Sequence, residues 1–190
     1  MQRLEPGPII LPMPVVLVGA DVHGKPNFMT AAFVGLINMK PPMIACGLSP
    51  SHRTCDGIVA NQAFSICIPT SDMVKVVDWC GIASGHKEDK SDVFTVFRGD
   101  TSGVPMIEEC ALCAECRLVQ TTPYGVDTLY VAEIIGVHAK EEFLVNGRVD
   151  WAKVSPLLFT FPDSSYWKLG DRVASAWKIG RDYQSPKTSK

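Results

Sequence analysis

The sequence predicts a mainly antiparallel β-barrel with a few peripheral helices. Three observations carry that expectation. Short apolar runs rich in β-branched residues recur at close spacing, bounded by Pro, Gly and Asn. The helical candidates are few and fall between such runs without a βαβ rhythm. No G-x-G-x-x-G opens a helix after a strand, so a Rossmann dinucleotide site has no support.

Each element follows from its residues. Met1 to Pro14 carries Pro6, Pro8, Pro12 and Pro14, which bars a helix interior or a central strand, so it reads as an extended lead-in. Pro14 to Ala20 is a β-branched run and predicts a strand. Asp21 to Asn27 reads as a turn, with Gly24 free to take a positive φ. Phe28 to Asn38 is a strand or a buried helix by pattern, and the preceding turn favours the strand. Lys40-Pro41-Pro42 ends it, and Met43 to Leu48 is a further buried strand. The polar loop Ser49 to Thr54 leads into a short helix, Asp56 to Asn61, with Ser51 or Thr54 as its cap. Ala63 to Ile68 is a strand stopped by Pro69. Met73, Val76, Val77 and Cys80 at three-and-four spacing predict an amphipathic helix over 71–80. Gly81 to Lys90 is a loop. Cys116 to Thr122 and Thr128 to His138 are strands around a turn at Tyr124-Gly125, and Asn146-Gly147 is a hairpin signal. A short helix is expected near Val173 to Trp177, and 184–190 reads as a frayed tail.

Composition sets the class. The 190 residues are 46% hydrophobic and 20% charged, enough to bury one core, and no linker or repeat divides them. The expected organisation is one domain over 1–190, with 1–10 and 184–190 peripheral. Lys and Arg number 18 against 20 Asp and Glu, a net charge of −2, which argues against a dedicated nucleic-acid binder. No apolar run reaches the roughly 18 residues that cross a bilayer, and no export signal opens the chain. Seven cysteines, an odd number, fit free thiols in a reducing compartment. The chain is therefore expected to be soluble and cytoplasmic.

Three segments hold candidate chemistry. Ser49, Ser51, Arg53 and Thr54 combine hydroxyl donors with a guanidinium fork at a helix start, the donor set a phosphate needs. An ordinary capped helix with a surface arginine fits the same residue types. Asn27-Phe28-Met29-Thr30-Ala31-Ala32-Phe33 offers small residues that let a flat ring approach the backbone, and Asn27 and Thr30 can donate to its polar edge; a plain core strand fits equally. In Ser84 to Lys90, Lys87 or Lys90 can reach a phosphate or an electron-rich ring edge, and a solvated charged loop is the alternative.

The order of short motifs adds a resemblance. Pro12-x-Pro14-Val15, Gly24-x-x-Asn27-x-x-Thr30-Ala31, Pro41-Pro42, Ser51-x-Arg53-Thr54 and Asn61-x-x-Phe64 are followed by Ser84-Gly85, Lys90 and a Cys116 strand. Glu133-Ile134, Asn146-Gly147-x-x-Asp150, Pro156-Leu157 and Tyr166-Trp167-x-Leu169-Gly170 complete the set. Over roughly residues 8–180 this resembles the flavin reductase-like, FMN-binding split-barrel family, most closely its flavoredoxin branch. No single motif is strong; the ordered set is specific.

The resemblance implies a six-stranded antiparallel split barrel of Greek-key type, a homodimer, and non-covalent FMN near the subunit interface. It implies that Asn27, Phe28, Met29, Thr30 and Ala31 face the isoalloxazine and that Ser49, Ser51, Arg53 and Thr54 hold the phosphate. Lys90 would stand near the ring, and Phe161 over or beside it. Phe33 stands where relatives often have Trp, and Asp127 where many have His. His138 is not equivalent to that His and reads as a strand-end surface residue. The implied activity is that of a flavoprotein oxidoreductase taking electrons from NAD(P)H or a redox protein and passing them to flavin or a downstream acceptor. No acid–base residue is assigned, because hydride transfer goes directly to the ring.

Cys110-x-x-Cys113-x-x-Cys116 sets three thiols at regular spacing. Such spacing suits a redox pair or a metal site, but a structural zinc site wants four ligands, and the fourth Cys of cluster ferredoxins is absent. Buried free thiols packing as small apolar groups fit as well. The alternatives to an enzyme are thus a one-electron carrier docking on a redox partner and a non-enzymatic cysteine–metal module.

Overall fold

The structure, a computed structural model, describes residues 1–3 and 5–183. The expected frayed tail, 184–190, lies outside the described residues. After an exposed lead-in come β1 (Met13–Pro14), β2 (Val16–Val22), β3 (Lys25–Ala31), β4 (Val34–Met39) and β5 (Pro42–Leu48). Helix α1 (Arg53–Asn61), β6 (Ala63–Ile68), a 3-10 turn and α2 (Val74–Ile82) follow. Then come β7 (Val96–Arg98), β8 (Pro105–Ile107), β9 (Leu112–Tyr124) and β10 (Asp127–Ala139). The chain closes with β11 (Leu144–Val145), β12 (Arg148–Val149), α3 (Trp151–Val154), β13 (Leu157–Thr160) and β14 (Ser165–Lys168).

The main sheet is antiparallel, with seven strands rather than six, in the order β3-β2-β6-β9-β10-β5-β4. Its shape follows from one link. β3 and β4 are the two outer strands, yet only Ala32 and Phe33 separate them in the chain. Three peptide steps reach at most about 11 Å, whereas the edges of a flat seven-stranded sheet stand about 29 Å apart. The sheet must therefore curl until its edges nearly meet, which gives a barrel left open along one seam. Phe28 to Asn38, read as one element from the sequence, is two strands broken at that seam.

Around β2 and β6 both faces of the sheet are buried, and strand alternation sorts residues between them. Val16, Val18 and Ala20 of β2 fill the barrel with Met29, Ala31, Phe64, Ile66 and Cys116. Leu17 points to the outer face, where Phe28, Cys67, Val77, Phe94, Met106 and Cys113 form a second core under α2 and the β7–β8 hairpin. The continuous apolar run of β2 is the trace of this double burial.

The turns follow from residues that tolerate positive φ. His23-Gly24 and Asn146-Gly147 both adopt it (52° and 78°, 52° and 71°), giving two-residue hairpins. Two expectations are corrected. No helix forms over 173–177, because Val173 and Trp177 are exposed and have no face to bury. Instead, a helix the pattern did not suggest begins at Trp151, capped by Asp150 Oδ1 accepting from the amides of Ala152 and Lys153 at 3.0 and 3.3 Å.

Helix α1 lies across β2 at Gly57, where an added Cβ would come 2.4 Å from the Asp21 carbonyl oxygen. That contact is backbone and cannot swing aside. Gly57→Ala is expected to destabilise the fold by about 1–3 kcal/mol, despite a helix-propensity gain of up to about 1 kcal/mol. An unchanged thermal midpoint would show that α1 is not held so closely.

The outer face also buries Glu115. Its carboxylate accepts from Ser102 Oγ (2.6 Å), the Ser102 amide (2.7 Å), the Thr101 amide (3.2 Å) and His138 Nε2 (3.0 Å). His138 is thus a partner of a buried carboxylate, not the free strand-end surface residue expected from sequence. Two glycines make the room, since a Cβ on Gly99 or Gly136 would meet Glu115 atoms at 2.2 and 2.8 Å.

Candidate functional site

The seam and the start of α1 form one cleft. A cavity of about 240 Å³ lies among Asn27, Met29 and Thr30 of β3, the first turn of α1, and the Cys80–Gly85 segment with Lys90. A second, of about 250 Å³, follows the seam along Met29 to Phe33 and Gly47 to Ser49, reaching His52 and Asp127. Met29, Thr30 and His52 line both. Neither alone reaches the roughly 300–1,000 Å³ of a typical cofactor pocket; joined, they do. A wider hollow of about 380 Å³ continues outward past Arg53 and Asn27 to the β2–β3 hairpin and the Gly85–Asp89 loop. The Lys25–Asp89 ion pair, 3.0 Å, ties these two walls together.

The polar end is built on α1. The helix begins at Arg53, and His52 as its N-cap offers no side-chain hydrogen bond to the first amides. Neither expected cap, Ser51 or Thr54, takes that place: Thr54 is inside the helix and buried, and its hydroxyl donates to Asn27 Oδ1 at 2.9 Å. Ser49 Oγ and Ser51 Oγ are 2.8 Å apart. Among the described residues, the Arg53 guanidinium has no hydrogen-bond or ion-pair partner. An unpaired guanidinium, two hydroxyls and uncapped helix amides carrying the positive end of the dipole form a corner with the donor chemistry an anion needs.

The flat end is built on β3 and β5. Because Thr54 engages the Asn27 oxygen, the Asn27 amide NH₂ remains as a donor. Gly85 presses against this amide, as a Cβ there would come within 3.0 Å of it. The Thr30 hydroxyl proton is already given to the Val77 carbonyl of α2, so the expectation that Thr30 donates to a ring edge is corrected. Lys90 is only 2% exposed, not part of a solvated loop. Its ammonium donates to the Cys80 carbonyl at 2.8 Å and lies 5.9 Å from the Trp79 ring centroid. Burial pushes the Lys90 ammonium below its ordinary pKa of 10.5.

Of the residues singled out in the sequence, Asn27, Met29, Thr30, Ala31, Phe33, Ser49, Ser51, Arg53, Thr54 and Lys90 meet along this cleft. Two do not. Phe28 points through the sheet to the outer core, edge-on to Phe94 at 5.5 Å, so its side chain cannot face a ring in the cleft. Phe161 follows β13 and lines neither cavity. The sequence reading missed His52, Cys80 and Gly81–Ala83. The signal for His52 was its place between Ser51 and Arg53; Cys80 and its neighbours arrive through helix packing, which no local pattern shows.

The three-cysteine spacing is also resolved. Cys113 and Cys116 lie three apart on β9 and face opposite sides of the sheet, so Cys116 joins the barrel core and Cys110 and Cys113 the outer one. The three thiols of the motif do not converge.

Comparison with known proteins follows this geometry. Residues 10–162 match the flavin reductase like domain. A flavoredoxin from Methanosarcina acetivorans superposes with a TM-score of 0.92 at 44% identity, covering 95% of this chain and 97% of that one. Flavoredoxin of Desulfovibrio vulgaris (Miyazaki F) gives 0.89 at 31% identity, over 95% and 100%. An FMN-binding protein from Thermus thermophilus shares the fold, with a TM-score of 0.79 at 24% identity over 92% and 99%. The open-seamed barrel, the family match across most of its length and the similarity to two flavoredoxins together establish that this chain belongs to the flavin reductase-like family, in its flavoredoxin branch.

Proposed function

We propose that the chain is an FMN-binding oxidoreductase that passes electrons from a reduced donor to flavin or a downstream acceptor. The observation that carries this is the unpaired Arg53 guanidinium at an uncapped helix start, opening directly onto the seam. Arg53, Ser49, Ser51 and the first amides of α1 would hold a single phosphate, which favours a mononucleotide. Bound FMN would supply the redox chemistry, accepting electrons from the donor and handing them on. Asn27 would orient the ring by donating to its polar edge, while Met29, Ala31, Gly47 and Leu48 keep water from its face. The positive charge of Lys90, in a poorly solvated site, would favour added electrons on a neighbouring ring.

The apolar residues Leu36, Ile37 and Met39 on exposed β4 support a further part of this reading, a homodimer formed through this side of the barrel. Sedimentation of the purified protein would detect it.

The test of the cofactor is an absorbance spectrum of purified protein, then of the supernatant after heat release. A two-band flavin spectrum with FMN released is expected. A colourless protein that takes up no added FMN overturns the reading. Anaerobic NADH or NADPH then separates the donors. Bleaching identifies a nicotinamide-dependent enzyme, and bleaching by dithionite alone identifies a carrier reduced by a partner protein.

A further inference from the structure

The flavin reading leaves a second cluster of reactive side chains unused. Cys67 of β6 and Cys113 of β9 are directly opposed register partners. Cys110 stands in the turn that enters β9 and packs in the same outer core as both. All three are reduced. The sequence spacing pairs Cys110 and Cys113 with Cys116, but strand alternation replaces Cys116 with Cys67, a residue more than forty positions away.

The cluster is not sealed. A cavity of about 270 Å³ has Cys110 and Cys113 in its wall, with Phe97, Ile107, His138 and Lys140 around them. Each of the two cysteines is about 3% exposed, and Cys67 lies behind them. Opposed residues in an antiparallel pair have Cα atoms about 4.5–5.5 Å apart, inside the window of about 4.4–6.8 Å that a disulfide spans. Burial disfavours a thiolate, but the polar thiols of Cys110 and Cys113 pack beside Cys67. Cys67, met also by Ser65 and the Ile107 backbone, is thereby held below its ordinary pKa of 9.0. Cys110 favours a thiolate at Cys113, but Cys67 and burial outweigh it and push Cys113 above its ordinary pKa of 9.0, so Cys113 is the reacting thiol by its place in the cavity wall.

We propose that Cys67, Cys110 and Cys113 form a redox-sensitive site, in which a hydroperoxide entering this cavity converts Cys113 and one of its two neighbours into a disulfide. The Cys113 sulfur attacks the hydroperoxide, the O–O bond breaks, a sulfenic acid forms and an alcohol leaves. The neighbouring thiol then attacks the Cys113 sulfur and expels the hydroxyl as water. Two thiols lose two electrons and two protons, the hydroperoxide takes both, and the products are one disulfide, one water and one alcohol. With hydrogen peroxide both oxygen products are water. This site is separate from the cleft at the seam and does not rest on the flavin reading.

The test uses the full chain as purified, treated with hydrogen peroxide in small molar excess, quenched in acid, denatured and alkylated. Untreated protein alkylates at all seven cysteines. Treated protein is expected to alkylate at two fewer, with intact mass lower by two hydrogens and the new link mapping to Cys113 with Cys67 or Cys110. Cys113→Ala is expected to lose no pair of thiols, whereas Cys116→Ala, changed on the other face of the sheet, still loses two. If Cys113→Ala does not fold, the mapped link in the unsubstituted protein decides alone. Full alkylation after treatment, oxygen added to cysteine, a link through Cys116 or Cys46, or a link between chains would each overturn the proposal.

Discussion

Arg53→Ala is expected to weaken FMN binding by about 10–100-fold, the value of one charge-assisted hydrogen-bonded contact of about 1.5–3 kcal/mol. Arg53 has no partner within the described protein, so its removal leaves no group orphaned. The apoprotein's stability should stay within about 0.5 kcal/mol of the parent. Riboflavin, which has the ring but no phosphate, is the control: its affinity should not change. Arg53→Lys should recover only part of the loss, because a point charge cannot reproduce the planar fork. Fluorescence titration of the apoprotein reads all three. Equal losses for FMN and riboflavin would move Arg53 from the phosphate to the ring, and no loss for either would remove the anion corner from the site.

Glu115→Gln is the second large effect, and it acts on stability. A glutamine side chain fits the space and can keep its oxygen on the Ser102 amide and hydroxyl, but its NH₂ then faces His138 Nε2 and the Thr101 amide in place of the carboxylate oxygen that accepted from them. Losing a buried charge-assisted network and opposing donor to donor costs about 3 kcal/mol, or a fall of roughly 6–12 °C in thermal midpoint for a chain of this size. The pH dependence carries a signature. Burial alone would raise the Glu115 carboxyl, but the bonds from Ser102, His138 and Thr101 outweigh it and hold the pKa below the ordinary 4.5. A carboxyl lowered on folding stabilises the protein above its unfolded pKa, and that stability is lost as pH falls through the folded value. Urea unfolding between about pH 7 and about pH 3 should therefore show a shallower acid loss in the variant than in the parent. Parallel curves would mean that Glu115 does not change its proton affinity on folding.

The parts of this fold legible in the sequence are those set by short-range chemistry. His23-Gly24 and Asn146-Gly147 announce hairpins because few residues accept positive φ. Ser51 and Arg53 point to a polar corner because a hydroxyl and a guanidinium meet at a helix start. What stayed hidden depends on partners brought from afar. Glu115 looks like an ordinary strand glutamate until Ser102 and His138 close around it. Lys90 looks solvated until Cys80 and Trp79 cover it. Phe28 was grouped with Asn27 and Met29 by adjacency, although a strand sends neighbours to opposite faces. The same period of two separated Cys116 from Cys113. The seventh strand was missed because the break at Ala32-Phe33 leaves no turn residue to mark it.

That break has a consequence for how the protein behaves in a crowded solution. An open sheet normally offers two rows of unpaired amides and carbonyls to any passing strand, the first step towards fibrous aggregation. Here the two-residue link between β3 and β4 holds the two rows within about 11 Å of each other at that end of the seam. The chain thus tethers its own edges, so that near the link each faces the other instead of open solvent.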